Sequence, residues 1–261
     1  MTTKIGVCVK IVPRAVIPMH LDEASLRLDR SGATEINPTD LYAIEEALQI
    51  RDRFGGEVVV VSVGPEPGVE SLRVALAMGA DRVVAVSDPA IGGSDLIGTS
   101  RVLAAALERE RPDLVLFGSQ SREGGGAMMG GAVAEILGVP IVSGVHSIEV
   151  ADGRLRGARQ VVGGEQVLEA SLPCVVSLAG SANSPRYPSF RDIVSAKKQA
   201  IERLALAELG LRPTDVGAPA ARTNVLEFAA PPARGSAGEV IDDGGRGAAW
   251  LSDFLVERGL A

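Results

Sequence analysis

The stretch EVVVVSVGPEPGVESLRVALAMGADRVVAV (Glu57–Val86) decides the fold. It opens on an unbroken apolar run, EVVVVSV, the pattern of a strand covered by helices on both faces. GVESLRVALAMG then places Val69, Leu72 and Leu76 on one helical face and closes on Gly79, a residue suited to the helix C-cap. RVVAVSD is the next strand. Strand, helix and strand in so short a span make a βαβ unit, and its right-handed crossover leaves the two strands parallel.

The same rhythm extends in both directions. KIGVCVKIV (Lys4–Val12) reads as a first strand, and LRLDRSGATEI as a small hairpin turning at Ser31-Gly32. NPTDLYAIEEALQIRDRFGG is a helix: Asn37 is a suitable N-cap, Pro38 fits the first helical position, and Leu41, Ile44 and Leu48 share a face. Downstream, SDLIGTSRVLAAALERE predicts a helix capped by Ser94, DLVLFG a strand, and GSQSREGGGAMMGGAVAEILG (Gly118–Gly138) a glycine-rich loop opening another helix. The pattern βαβαβαβα predicts an α/β fold with a doubly wound, mostly parallel sheet. Beyond Pro140, four runs (IVSGVHSIEV, GRLRGARQVV, EQVLEASL, PCVVSLAG) predict an antiparallel strand extension. A loop braced by Pro185 and Pro188 leads into a further helix. The last fifty or so residues, rich in Pro, Gly and Ala, read as an extended C-terminal arm ending in the short helix AAWLSDFLVERGL. An arm of this kind buries too little apolar surface to stand alone, which points to a supporting partner chain. The division expected is 1–182 for the sheet domain, 183–204 for a recognition loop and helix, and 205–261 for the arm.

Composition removes several function classes. A formal charge of −7 in 261 residues disfavours nucleic acid, whose phosphates need clustered cations. No window approaches the roughly 18 apolar residues of a membrane span, so no membrane insertion is expected. The start MTTKIGVCVK lacks the basic and apolar regions of a signal peptide, which makes the cytoplasm the expected location. Cys8 and Cys174 lie in apolar runs without paired spacing and read as reduced, packed thiols. His20 and His146 stand alone, so no metal site is expected, and no G-x-S-x-G supports a hydrolytic nucleophile.

In a doubly wound sheet ligands bind at the carboxyl ends of strands. Four turns gather there: Cys8 after strand one, the helix start Asn37-Pro38-Thr39-Asp40, the turn after Val63, and the loop from Gly118. The loop carries neither a Walker motif nor a sound G-x-G-x-x-G fingerprint. Gly124, Gly125 and Gly126 can adopt positive φ and turn backbone N–H groups toward a phosphate. Met128-Met129 reads as helix-face packing. NSPRYPSFRD places Arg186, Tyr187 and Phe190 on a proline-braced loop, the composition of an interface hot spot.

Taken together, VCVKIVP, LDRSGATEINPTDLYAIEEALQIRD, the Val58–Val86 stretch, PDLVLFGSQS, RQVVGGEQVLEASLPCVVS, NSPRYPSFRDIVSAKKQAI and PPARGSAG resemble, in order and over nearly the whole chain, the β subunit of electron transfer flavoproteins. The resemblance implies a Rossmann-like sheet of the adenine-nucleotide-binding type and a heterodimer with an α subunit that holds most of the FAD. It implies dehydrogenases as electron donors, and a quinone oxidoreductase or another acceptor. It implies no catalytic acid, base or nucleophile in this chain. A structural AMP would be lined by Cys8, Asn37, Pro38, Thr39, Asp40 and Val63, with a phosphate loop spanning Gly118, Gln120, Glu123, Gly124, Gly125, Gly126, Ala127, Met128 and Met129. That loop departs from the family pattern G-x-Q-A-x-D-x-D-x-x-Q-x-G: Ser121 replaces the alanine, Glu123 and Gly125 stand at the two aspartates, and Met128 replaces the glutamine. The departures put AMP in doubt and weaken the case for a second FAD. The family's docking loop maps to Asn183, Pro185, Arg186, Tyr187, Phe190, Lys197 and Lys198, with Phe190 at the usual leucine anchor. Ala15 stands where the family has an aromatic near the flavin. The alternative from another class is a stand-alone adenine-nucleotide-binding module of the stress-protein type, which leaves the docking loop and arm without a purpose.

Overall fold

The computed structural model describes residues 3–15, 20–229 and 244–260. In chain order the elements are β1 (Thr3–Val9), β2 (Ile11–Pro13), β3 (Leu21–Asp22), β4 (Arg27–Leu28), β5 (Thr34–Ile36), α1 (Pro38–Phe54), β6 (Gly56–Val63), α2 (Arg73–Met78), β7 (Arg82–Val86), α3 (Leu96–Glu110) and β8 (Leu114–Phe117). There follow α4 (Met129–Leu137), β9 (Ile141–Val145), β10 (Ser147–Ala151), β11 (Arg154–Val161), β12 (Gly164–Ser171), β13 (Cys174–Leu178), α5 (Phe190–Ala196), β14 (Glu202–Leu204), α6 (Gly217–Ala220) and α7 (Gly247–Glu257).

The central sheet has the order β14-β7-β6-β1-β8-β13-β9, and every pairing in it is parallel. Its apolar strands carry a core on both faces. Ile5, Val7, Val58 and Val60 pack with Ile44 and Leu48 of α1 and with Leu76 of α2. On the other face Val59, Val61 and Val84 pack with Val102 and Leu107 of α3 and with Val133 of α4. This is the doubly wound architecture expected from the uninterrupted valine run.

The tertiary fold corrects several local readings. The four-stranded meander is a three-stranded antiparallel sheet, β10-β11-β12, because IVSGVHSIEV divides into β9 and β10. Both β9 and β13 join the parallel sheet; the two-sided burial of Cys174, Val175 and Val176 suits only a central strand. Ser31-Gly32 does not turn a hairpin. β4 pairs with β3, while β5 pairs with β2, which brings Ile36 opposite Ile11 and buries both. Asp95, not Ser94, caps α3: its carboxylate accepts the Gly98 N–H at 2.9 Å, and Ser94 Oγ accepts the Gly217 N–H instead. β14, too short to show a period, was not legible in the sequence.

The chain forms two compact units, Met1–Val225 and Leu226–Ala261. Residues 205–225 belong to the first, where Leu206 and Val216 are buried. In the second, α7 stacks Trp250 on Phe254 with ring centroids 5.4 Å apart, and Arg258 lies over the Phe254 ring. PPARGSAG, part of the expected arm, lies outside the described residues.

Candidate functional site: a stitched strand-end loop and a pinned proline-braced loop

At the carboxyl ends of β1 and β8 the loop that follows Phe117 is sewn to the start of α1. Gly118 lies so close to the helix that a Cβ there would stand 2.3 Å from Asp40 Oδ1 and 2.7 Å from the Thr39 carbonyl carbon. Only glycine allows that approach. The Gln120 carbonyl accepts hydrogen bonds from Asn37 Nδ2 (2.9 Å) and Thr39 Oγ1 (2.6 Å), and Asn37 Oδ1 accepts the Arg122 N–H at 3.0 Å. Asn37, 1% exposed, therefore does not cap α1 with its side chain, as its position suggested; its amide is turned to the loop. The helix start uses the Asn37 carbonyl, which accepts the Asp40 N–H at 2.9 Å.

Asp40 is buried beneath this seam. Its Oδ2 accepts the Lys10 N–H at 2.7 Å and its Oδ1 the Asn37 amide at 3.0 Å. Burial pushes its pKa up to about 7, and these hydrogen bonds offset only part of that shift. Cys8 lies nearby on β1. Burial and the Asp40 charge both push its thiol pKa up, so it packs as an inert hydrophobe. Val63 stands half-buried at the end of β6, where the next residue's N–H bonds to the Val86 carbonyl at 3.1 Å.

The glycine run behaves differently from its sequence reading. Of Gly124, Gly125 and Gly126, only Gly125 takes a left-handed φ (+58°); the other left-handed residue in the loop is Ala127 (+51°). The Gly124 N–H bonds to Ser121 Oγ at 3.1 Å and the Gly125 N–H to the Ser121 carbonyl at 2.9 Å. Two of the donors expected to face a phosphate thus close the loop's own turn. Met128 is exposed ahead of α4, whereas Met129 packs inward and its Sδ accepts the Ser100 hydroxyl at 3.2 Å. The packing expected of both methionines belongs to one.

Charges complete the stitching. The Glu123 side chain, 6% exposed, meets the Arg30 guanidinium with both oxygens (2.5 and 2.8 Å) and also meets Lys10 Nζ. Burial pushes the Glu123 pKa up, but the Arg30 and Lys10 hydrogen bonds and charges outweigh it and hold the carboxyl below the usual glutamate range. Arg122 pairs with Glu35 at 2.8 Å and donates to the Pro13 carbonyl. Loop residues 122 and 123 are thereby tied to the β2–β5 ribbon and to the segment before it.

The second feature is the segment from Asn183 to Lys198. Asn183 Nδ2 donates to the Tyr42 carbonyl (3.0 Å) and to Glu46 Oε2 (2.8 Å). Arg186 is not free, as its loop position suggested. Its Nε and NH2 groups grip Glu45 at 2.8 and 3.1 Å, its backbone N–H adds a bond at 3.0 Å, and NH2 also reaches Asp52 at 3.1 Å. Pro185 is half-buried between these anchors. Ser189 and Asp192 form a capping box that starts α5, and Arg73 holds the far end through the Ala196 and Gln199 carbonyls at 2.9 and 2.8 Å. Between the two fastenings Tyr187 is 99% and Phe190 81% exposed, with Ile193 and Val194 beside Phe190 on the helix. Lys197 and Lys198 are exposed at its end.

An electron transfer flavoprotein domain matches residues 25–209, more than half the chain. The chain is 39% identical to "Electron transfer flavoprotein subunit beta" of Mycobacterium leprae (strain TN) over 261 residues, covering 97% of this chain and 98% of that one. It is 38% identical to "Caffeyl-CoA reductase-Etf complex subunit CarD" of Acetobacterium woodii, covering 91% of each. It is 35% identical to "Protein FixA" of Bradyrhizobium diazoefficiens, covering 95% of this chain and 90% of the other. The chain belongs to the electron transfer flavoprotein β-subunit family.

At the strand ends the polar side chains are already partnered within the chain. Asn37, Thr39, Asp40 and the Gln120 carbonyl satisfy one another, and Lys10, Arg30 and Arg122 are paired to carboxylates. The anchors Glu45, Asp52, Lys10 and Arg30 were missed in the sequence. One signal was present for the first two: Glu45 and Asp52 fall at helical spacing on the stripe of Leu41 and Leu48, and an acid among apolar positions needs a cation.

Proposed function

We propose that this chain is the non-catalytic subunit of a heterodimeric flavin electron carrier. An α subunit holds most of the FAD, and this chain closes over it, docks electron-donating dehydrogenases and lets electrons pass to a quinone oxidoreductase or another acceptor. The flavin, when bound, supplies the redox chemistry, and no residue here is assigned as acid, base or nucleophile. Ala15, exposed after β2, presents only a methyl group where the resemblance expects an aromatic, so this chain adds no ring near the flavin there.

The observation that carries the reading is the docking loop. It is fastened at Asn183, Arg186 and the end of α5, yet it presents Tyr187 and Phe190 almost wholly to solvent. Aromatic groups on a backbone already held in place lose little freedom on association, which favours tight and selective docking. Trp250 and Leu251 of α7, about half exposed, suit an α-subunit surface in the same way. No helix among the described residues is long and apolar enough to cross a membrane. Cys8 and Cys174, buried and unpaired, accord with a reducing compartment such as the cytoplasm.

Co-expression with a candidate α subunit tests the proposal. The expected product is a yellow heterodimer that releases FAD on denaturation. A colourless chain that purifies alone and binds adenine nucleotide would instead establish the stand-alone module.

A further inference from the structure

We propose that Asp95 is a positioning residue for assembly: its carboxylate pins residues 222 and 223 to the start of α3, and so fixes the point from which the C-terminal segment is led to the α subunit. The inference rests on the heterodimer reading and goes beyond it in naming the group that aims the segment. Asp95 divides its two oxygens between two tasks. Oδ1 accepts the Gly98 N–H at 2.9 Å and caps the helix. Oδ2 accepts the Arg222 N–H at 2.7 Å, the Thr223 N–H at 3.2 Å and the Thr223 hydroxyl at 3.3 Å, across 127 and 128 residues of chain. A carboxylate makes stronger bonds to such donors than a neutral acceptor would.

This clamp is the last stitch of a seam between the chain after β14 and the connection from β7 into α3. The Leu206 N–H bonds to Asp88 Oδ2 at 3.3 Å, and the Asp215 carbonyl accepts an Arg101 N–H at 3.2 Å. The Gly217 N–H bonds to Ser94 Oγ at 2.7 Å and the Ala218 N–H to the Gly92 carbonyl at 3.2 Å. Gly217 takes a left-handed φ (+74°), and a Cβ there would stand 2.2 Å from the Ala90 carbonyl oxygen. Val216 beside it is buried. Arg222 and Thr223, by contrast, are exposed, so burial does not hold them and the Asp95 carboxylate does. Past Thr223 the fastening stops. Among the described residues nothing hydrogen-bonds to Asn224 or Val225, Val225 is exposed, and the second unit begins at Leu226. With the clamp open, the nearest stitch to another element is at Ala218, and residues 219–223 join what association must order. A segment led from a fixed point meets its partner at an effective concentration set by that tether, and each loosened residue adds an ordering cost.

The experiment uses the purified complex with the α subunit. Asp95→Asn keeps an oxygen for the Gly98 N–H and sets an amide NH2 against the Arg222 and Thr223 donors, so it opens the clamp and leaves the cap. Asp95→Ser, whose single hydroxyl also suits an N-cap, is the second variant. Three quantities are read: FAD released on denaturation, amide exchange at residues 98, 222 and 223, and the dissociation constant of the complex on dilution. In both variants exchange should quicken at 222 and 223 and stay as in the parent at Gly98, while the dissociation constant rises roughly tenfold. A role confined to the helix cap would move Gly98 exchange and leave the constant alone. A parent that yields no yellow heterodimer overturns the heterodimer reading and this proposal with it. A parent that assembles, beside variants with faster exchange at 222 and 223 and an unchanged constant, overturns the proposal alone. So does unchanged exchange at those two residues, which would mean that Asp95 does not hold them.

Discussion

The Arg186 guanidinium holds the Glu45 carboxylate by two parallel bonds, Nε to Oε2 at 2.8 Å and NH2 to Oε1 at 3.1 Å, across 141 residues of chain. The Glu45 side chain is nearly buried in α1 while Arg186 is about one-third exposed, so the pair joins the sheet domain to the proline-braced loop. Burial raises the Glu45 pKa, and the Arg186 bonds and charge together with the Gln49 hydrogen bond more than offset it, leaving the carboxyl below its usual range. Arg186→Met is expected to leave that acid without a cation, with only the Gln49 amide (2.9 Å) and the backbone N–H of residue 186 (3.0 Å) still donating to it, and to destabilise the protein by ~1–2 kcal/mol, the exposure of Arg186 limiting the loss. The difference between Arg186→Met and the parent should shrink at acid pH, as Glu45 is protonated, in thermal melts of the complex. An unchanged melting temperature at neutral pH would remove Arg186 as the fastening.

Phe190→Ala should weaken donor docking without disturbing the fold, because Phe190 is 81% exposed. Loss of a central aromatic anchor costs about 2 kcal/mol, or roughly 30-fold in the half-saturating concentration of the dehydrogenase. Flavin content and melting temperature should stay as in the parent. Equal transfer kinetics would dismiss Phe190 as the anchor.

Gly118→Ala is expected to damage the strand-end seam. The new methyl would overlap Asp40 Oδ1 and the Thr39 backbone, neither of which can withdraw without breaking bonds to Asn37, Lys10 or Gln120. Overpacking of this kind costs about 1–3 kcal/mol. Amide exchange should quicken at residue 122, whose N–H depends on Asn37. Unaltered protection there would mean that the loop is held by something else.

Asp40 makes stability fall as pH rises. Its folded pKa lies near 7 against an ordinary 3.8, so the folded state keeps a proton that the unfolded state has lost between those values. The contribution is fully present below about pH 4, drains away as pH rises toward 7, and amounts to at most ~4 kcal/mol. Asp40→Asn has no such proton. The parent-minus-variant difference in unfolding free energy should therefore decrease from pH 4 to 7 and level off above. A flat difference across that interval would show that Asp40 is ionised in the fold.

Much of the architecture could be read along the chain because it is local. The valine runs of β6 and β7 and the 3.6-residue spacing of Leu41, Ile44 and Leu48 are properties of short segments, and burial follows from them directly. The same locality misled where two runs looked alike: Cys174–Leu178 reads as one more meander strand, and only its neighbours in space make it a central one. The exposure of Tyr187 and Phe190 was legible for a related reason, since a proline-braced loop has little capacity to bury its own aromatics.

The fastenings of the proline-braced loop and of the strand-end loop had no such signature. GSQSREGGG reads as a phosphate cradle by its glycines, but nothing local announces that Glu123 meets Arg30 across 93 residues or that Asn37 reaches Gln120 across 83, just as nothing near Arg186 announces Glu45. Periodicity records which face of an element is apolar, and that suffices to choose a doubly wound sheet. It does not record which charge on one segment lies opposite which charge on another. That depends on the register and stacking of elements far apart in the chain. Which distant segments a glycine-rich loop is tied to is decided by those long-range pairings.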